Sequence, residues 1–257
     1  MESVFPLFGF GEEQKRLEEA LRKRESLVIL GAAGAGKTAL IEAVVAGSAN
    51  HREFVRTQYS SNLHRLLIDL TRSLLDARHK TLRLRARPTP DTEKWLAGQT
   101  SIHLKGLLWT SLEAQPLTIV LDGIDGGSFP MYRFLQRLYF APGVAIVAAA
   151  RDTGSLGVLS RLFWDPRKMI HLRALNHADA RRLFDLAASR YGLEQFELNE
   201  FREKVLESAQ GNPGEIIEMC RLAANPAYIS GKHIKFAPLR IDAMMRFLPT
   251  AAGQRLR

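Results

Sequence analysis

Eight consecutive residues, Gly31-Ala32-Ala33-Gly34-Ala35-Gly36-Lys37-Thr38, carry the densest chemical pattern in the chain. Glycines at this spacing let successive backbone N–H groups close on phosphate oxygens, and a helix continuing from Ala39-Leu40-Ile41 would add the positive end of its dipole at the same point. Lys37 would then bridge the β- and γ-phosphates of a nucleoside triphosphate, and the Thr38 hydroxyl would offer a hard oxygen to Mg²⁺. The apolar run Leu27-Val28-Ile29-Leu30 just before the loop reads as a strand, so the strand, loop and helix succeed one another in the order this chemistry needs. The expected nucleotide-binding residues are Gly31, Ala32, Ala33, Gly34, Ala35, Gly36, Lys37, Thr38 and Ala39. The competing reading is a flexible Gly/Ala turn.

A Mg²⁺ ion at Thr38 calls for a carboxylate on its other side. Thr118-Ile119-Val120-Leu121-Asp122 is an apolar strand ending in one, and Asp122 is the expected metal partner. Many phosphate-loop ATPases place Glu directly afterwards to activate the attacking water, but here the residue is Gly123. The next acid is Asp125, which either polarises water or caps the turn at Gly126-Gly127. Val144 to Ala150 forms another apolar run and ends in Arg151. At the carboxyl end of a strand Arg151 would sense the γ-phosphate by its charge; the alternative is a surface arginine paired with Asp152 or Asp165. Lys37, Asp122, Asp125 and Arg151 make up the candidate catalytic set.

The elements that must position these groups alternate between strand and helix. Residues 11–24 predict a charged amphipathic helix and 27–30 the first strand, with a second helix reaching about Ala46. Phe54 to Tyr59 reads as strand two, and Leu63, Leu66, Leu67, Leu70 and Leu74 recur at helical spacing. The basic stretch 79–93, with Pro88 and Pro90, predicts a loop; Thr100–Ala114 and Tyr132–Tyr139 predict helices, and 168–172 a last strand. From Asn176 the pattern becomes helix after helix, at Ala178–Tyr191, Glu197–Ala209 and Pro213–Ala224. Gly211-Asn212-Pro213 breaks one helix and starts another, with Pro213 in the first turn. Beyond Pro226 a strand or turn near Ile234-Lys235-Phe236 precedes a helix-like Ile241–Phe247.

The single cysteine, Cys220, excludes an internal disulfide and reads as a buried filler, which points to a reducing cytoplasm. No apolar run reaches the length of a membrane span. Seven scattered histidines show no metal-ligand spacing, and the three tryptophans read as packing residues. A formal charge of +9 and a pI near 9.9 favour contact with anionic partners, the basic density being highest between Arg72 and Arg87. A solvated helix or loop face is the simpler explanation of that density.

In order, Gly9-Phe10-Gly11-Glu12-Glu13, the phosphate loop, Leu121-Asp122-Gly123-Ile124-Asp125, Arg151 and Gly211-Asn212-Pro213 resemble the STAND class of P-loop ATPases and the replication-initiator type of AAA+ proteins. The resemblance spans Phe8 to Ala224. It implies an α/β fold, a parallel sheet flanked by helices, followed by a small C-terminal helical lid subdomain. Expected boundaries are 1–174 for the nucleotide-binding domain, 175–225 for the lid and 226–257 for an extension of unassigned role. It further implies that Pro213 faces the base and that ATP and ADP favour different arrangements of the two parts. One branch of the class continues Asp-Gly-x-Asp with Glu, where this chain has Gly126, so hydrolysis should be slow. The expected function is an ATP- and Mg²⁺-binding switch governing self-assembly or engagement of a separate effector or sensor protein. The alternative is a DNA-associated AAA+ helper in replication or transposition. A small-metabolite kinase fits less well, because the helical tail is too long.

Overall fold

The computed structural model describes residues 5–48, 54–58, 61–86, 91–112 and 117–247. Tyr59, Arg87, Pro88, Pro90, Ala114 and residues 248–257 of the extension lie outside them. The chain divides into two compact units. Of the described residues, one unit holds those of Phe10–Ala32 and Lys37–Leu172; the other holds those up to Gly9, the loop crest Ala33–Gly36, and those from Arg173 to Phe247.

The first unit contains α1 (Gly11–Lys23), β1 (Leu27–Leu30), α2 (Lys37–Gly47), β2 (Phe54–Gln58), α3 (Leu63–Asp76), α4 (Lys80–Ala86), α5 (Thr92–Ala97) and α6 (Ser101–Leu112). It continues with β3 (Leu117–Ile124), α7 (Phe129–Tyr139), β4 (Val144–Ala150), two 3-10 segments and β5 (Met169–His171). The strands form one sheet in the order β2-β3-β4-β1-β5, and every pairing is parallel. Helices flank it, because parallel strands can be joined only by crossovers that cover the sheet faces. Val28, Leu30, Ile119, Leu121, Ile146 and Ala148 share a core with Leu66, Leu70, Leu108 and Phe134. The intervening Ile29, Val120 and Val147 are buried as well, which is why these strands read as continuous apolar runs.

Three local expectations change. Within the stretch predicted as a loop over 79–93, Lys80–Ala86 forms α4 and α5 begins at Thr92. Leu82 is fully buried, the His79 ring nitrogen accepts from the Leu82 N–H, and Asp91 caps α5 by accepting from the Lys94 N–H. Two short caps and one anchoring leucine outweigh a basic sequence that has no periodicity long enough to read. Helix α7 starts at Phe129, with Pro130 in its first turn, earlier than the Tyr132 predicted. Strand β3 runs past Asp122 to Ile124, with a register irregularity between Leu121 and Ile124 and Gly123 at φ +72°. Asp122 therefore lies inside an irregular strand end rather than at its terminus.

The second unit contains α8 (His177–Arg190), α9 (Leu198–Ala209), α10 (Pro213–Ala223), a short antiparallel hairpin of β6 (Ile229–Ser230) and β7 (His233–Ile234), and α11 (Phe236–Phe247). Phe184, Phe201, Val205, Ile216, Met219 and Leu239 are buried in it. Cys220 is fully buried there too, and burial pushes its thiol pKa far up, as befits an inert filler. Among the described residues no helix is long and apolar enough to cross a membrane.

Candidate functional site

The phosphate loop leaves the carboxyl end of β1, between β4 and β5. Its root is tied down by the Gly31 N–H, which donates to the carbonyls of Ala150 (3.3 Å) and Arg151 (3.1 Å) at the end of β4. Lys37, the first residue of α2, folds back so that its ammonium donates to the carbonyls of Gly31 (2.6 Å) and Ala32 (2.8 Å). Burial depresses the Lys37 pKa; the Asp122 carboxylate opposes that fall and the Arg151 charge adds to it. A partly desolvated cation bonded to neutral carbonyls is electrostatically suited to an anion.

The Thr38 hydroxyl donates to Asp122 Oδ2 at 2.9 Å, so the two residues expected to share a metal do meet. One hydroxyl and one carboxylate are hard donors, and they fit Mg²⁺, which keeps several waters and takes phosphate oxygens rather than an all-protein cage. Among the described residues no group of three His, Cys, Asp or Glu is placed to hold a metal ion.

A further residue enters that the motifs did not announce. In the register of β2 against β3, Gln58 lies opposite Asp122 and Arg56 opposite Val120. Arg56 thus shares a sheet face with Asp122, two residues back. Its Nη2 lies 2.6 Å from Asp122 Oδ2, and its Nη1 2.5 Å from Glu42 Oε1 on α2. Burial works against the Arg56 charge, but the bonds to Glu42 and Asp122 outweigh it and raise its pKa. The only sequence signal is a charged residue inside Phe54-Val55-Arg56-Thr57-Gln58; its partner depends on strand order.

Arg151 is exposed and close enough to depress the Lys37 pKa. Asp165 pairs with Arg167 and Asp152 accepts from Ser155, while Arg151 itself makes no ion pair among the described residues. Asp125 is exposed, and it has no hydrogen bond or ion pair among the described residues.

In the second unit the loop crest meets the start of α10. Asn212 caps that helix, its Oδ1 accepting from the N–H groups of Gly214 (3.0 Å) and Glu215 (3.3 Å). Asn212 Nδ2 also donates to the Ala33 carbonyl (2.8 Å), and the Gly214 N–H donates to the Gly34 carbonyl (2.9 Å). A Cβ on Gly214 would lie 2.6 Å from Gly34 Cα, so only glycine permits this approach. Gly211 sits at φ +80°, where a Cβ would lie 2.4 Å from the Leu175 carbonyl oxygen. In a trans peptide the C=O and the following N–H point opposite ways. Holding the Ala33 and Gly34 carbonyls therefore also orients the Gly34 and Ala35 N–H groups. Pro213 lies between the two residues that make these bonds. The sequence showed a helix start here but not its contact with the loop.

No protein-family model and no curated protein matches the chain. Solved structures do. A Walker-type ATPase of Pyrococcus abyssi aligns over 94% of this chain and 71% of its own, with a TM-score of 0.57 at 14% identity. Cdc6p from Pyrobaculum aerophilum aligns over 87% of this chain with a TM-score of 0.63 at 15% identity, and a STAND protein with a tetratricopeptide repeat sensor from Pyrococcus horikoshii over 95% with 0.51 at 17%. The chain spans 63% and 33% of the lengths of these two. It shares the fold of these three structures, a Walker-type ATPase, Cdc6p and a STAND ATPase.

Proposed function

We propose that this chain, on its P-loop ATPase fold, binds ATP with Mg²⁺, hydrolyses it slowly and uses the nucleotide state to control self-assembly or engagement of a partner protein. The observation that carries the switch is the pair of hydrogen bonds from Asn212 and Gly214 to the loop crest. Amides that would contact phosphate are oriented by the start of a helix, so phosphate contact and α10 position are linked. Lys37 supplies charge to the phosphates, Thr38 and Asp122 would hold the metal, and Arg151 would register the terminal phosphate. The metal, when bound, would neutralise charge building on the phosphoryl oxygens. Pro213 faces the base. Slow turnover follows from Gly123 in the place of a glutamate, which leaves exposed Asp125 to orient water. The name of the Pyrococcus horikoshii protein, a signal transduction ATPase, supports a switch over a metabolic enzyme. A cytoplasmic location accords with the single buried cysteine.

Size-exclusion profiles with ATP, ADP and no nucleotide test the switch. A shift in elution specific to ATP supports it, and three superimposable profiles contradict control of self-assembly.

A second reading, a DNA-associated helper, is favoured by one surface. Arg78, Lys80, Arg83 and Arg85 are all exposed on and beside α4, with no carboxylate partner among the described residues. DNA affinity that falls steeply with salt and rises with ATP would select this reading.

A further inference from the structure

Arg56 brings to the nucleotide site a positive charge that the phosphate-loop pattern does not contain. Asp122 Oδ2 accepts from two groups at once, the Thr38 hydroxyl at 2.9 Å and the Arg56 guanidinium at 2.6 Å. A divalent cation recruited by Thr38 and Asp122 must either displace the guanidinium from that oxygen or share the carboxylate with it. Displacement is opposed from the other side, because Glu42 on α2 holds Arg56 Nη1 at 2.5 Å. Sharing places two cations against one carboxylate, and like charges at such range repel. Arg56 is partly exposed, so its charge is open to an anion that comes within reach of Asp122 and Thr38. A cation held at Asp122 would supply part of the charge neutralisation that a metal ion otherwise supplies there.

We propose that Arg56 sets the metal requirement of this site: its guanidinium competes with the divalent cation for Asp122, so that nucleotide binding depends only weakly on Mg²⁺. The inference rests on Lys37, Thr38 and Asp122 forming the nucleotide site. It adds a specificity-determining residue that acts on the cation rather than on the phosphates.

Two readouts test it, neither of which is turnover. Affinity for a fluorescent ADP is measured in Mg²⁺ and in EDTA, and Mn²⁺ bound in the presence of ADP is counted by electron paramagnetic resonance. In the parent the two ADP affinities should differ by less than about 3-fold. Losing one charge-assisted contact with the carboxylate should raise that ratio in Arg56→Gln by roughly 10-fold and tighten Mn²⁺ binding by a similar factor. Glu42→Gln leaves Arg56 in place but frees it to swing, and should move both readouts the same way by a smaller factor. Arg56→Lys keeps the charge without the fork and should fall between parent and Arg56→Gln. If Arg56→Gln loses stability, Glu42→Gln supplies the same two measurements. Parental metal dependence and parental Mn²⁺ affinity in both Arg56→Gln and Glu42→Gln would overturn the proposal, as would a parent that already needs Mg²⁺ by tenfold or more. Failure of the underlying site looks different: the parent would bind no ADP in either medium, or Lys37→Ala would bind it as the parent does, and the inference would fall with it.

Discussion

The phosphate loop is held in two ways along its short length. At its flank, in the sheet unit, Lys37, Thr38, Asp122 and Arg56 meet through charged and hydroxyl side chains. At its crest, in the helical unit, Ala33 and Gly34 are held through their carbonyls by an amide side chain and a backbone N–H, at a distance only glycine allows. The flank should therefore be sensitive to charge and tolerant of small changes in shape. The crest should be sensitive to one added methyl group and indifferent to charge.

The flank gives the largest expected effect. Lys37→Ala should lower fluorescent-ATP affinity by about 100-fold or more, since it removes the charge opposite the β- and γ-phosphates, while circular dichroism stays parental. Lys37→Met adds a pH test. The folded-state pKa of Lys37 lies below the ordinary value of 10.5, so the protonated amine is penalised by folding. The penalty is fully present below the folded pKa, including neutral pH, and is relieved as pH rises through that value toward 10.5. Without nucleotide, Lys37→Met should melt no lower than the parent at neutral pH, and any margin in its favour should shrink as pH rises. A margin that widens would contradict the desolvation argument.

Asp122 and Asp125 should separate next. Asp122→Asn should weaken Mn²⁺ binding and hydrolysis together, by roughly 10-fold or more each, while changing ADP affinity by less than about 3-fold, because it removes the carboxylate charge that faces Thr38 and would face the metal. Asp125→Asn should spare ATP binding and lower a turnover that is itself expected to lie below the usual median of about 10 s⁻¹. Parental single-turnover hydrolysis in Asp125→Asn would reduce that residue to a turn former.

At the crest the two glycines divide stability from binding. Gly211→Ala places a Cβ against the Leu175 carbonyl at positive φ and should destabilise the chain by about 2–4 kcal/mol in urea melts. Gly214→Ala should cost less stability, about 1–2 kcal/mol, and yet weaken ATP binding several-fold by pushing the Gly34 peptide. Parental ATP affinity in Gly214→Ala would mean that the crest contact is packing alone. The smallest effect is expected of Arg151→Ala, which should shrink the ATP/ADP affinity ratio about 3-fold through loss of one exposed guanidinium. An unchanged ratio would leave Arg151 a surface residue.

The same division explains what the sequence disclosed. That Thr38 and Asp122 meet was legible because the readings of Lys37, Thr38 and Asp122 each ask for a particular residue type at a particular point on a strand or helix, and the strands themselves are apolar runs. The parallel sheet and the run of C-terminal helices were legible for the same reason. Arg56 was not, because its partner is fixed by β2 pairing with β3 across 66 residues. Gly214 was not, because a backbone N–H reaching a backbone carbonyl uses no side chain at all. Helix α4 was missed because one leucine and one histidine cap are too little pattern to outweigh its charges. Asp125 remains a residue read from sequence alone, three positions beyond Asp122.

The link between the loop crest and α10 can be tested by hydrogen–deuterium exchange of the parent with and without a slowly hydrolysed ATP analogue. Nucleotide should slow exchange at the Gly34 and Ala35 amides and, in the same titration, at Gly214, Glu215 and Ile216 in the first turn of α10. Slowed exchange confined to the loop, with the α10 amides unchanged at saturation, would contradict a nucleotide state that is transmitted to the helical unit.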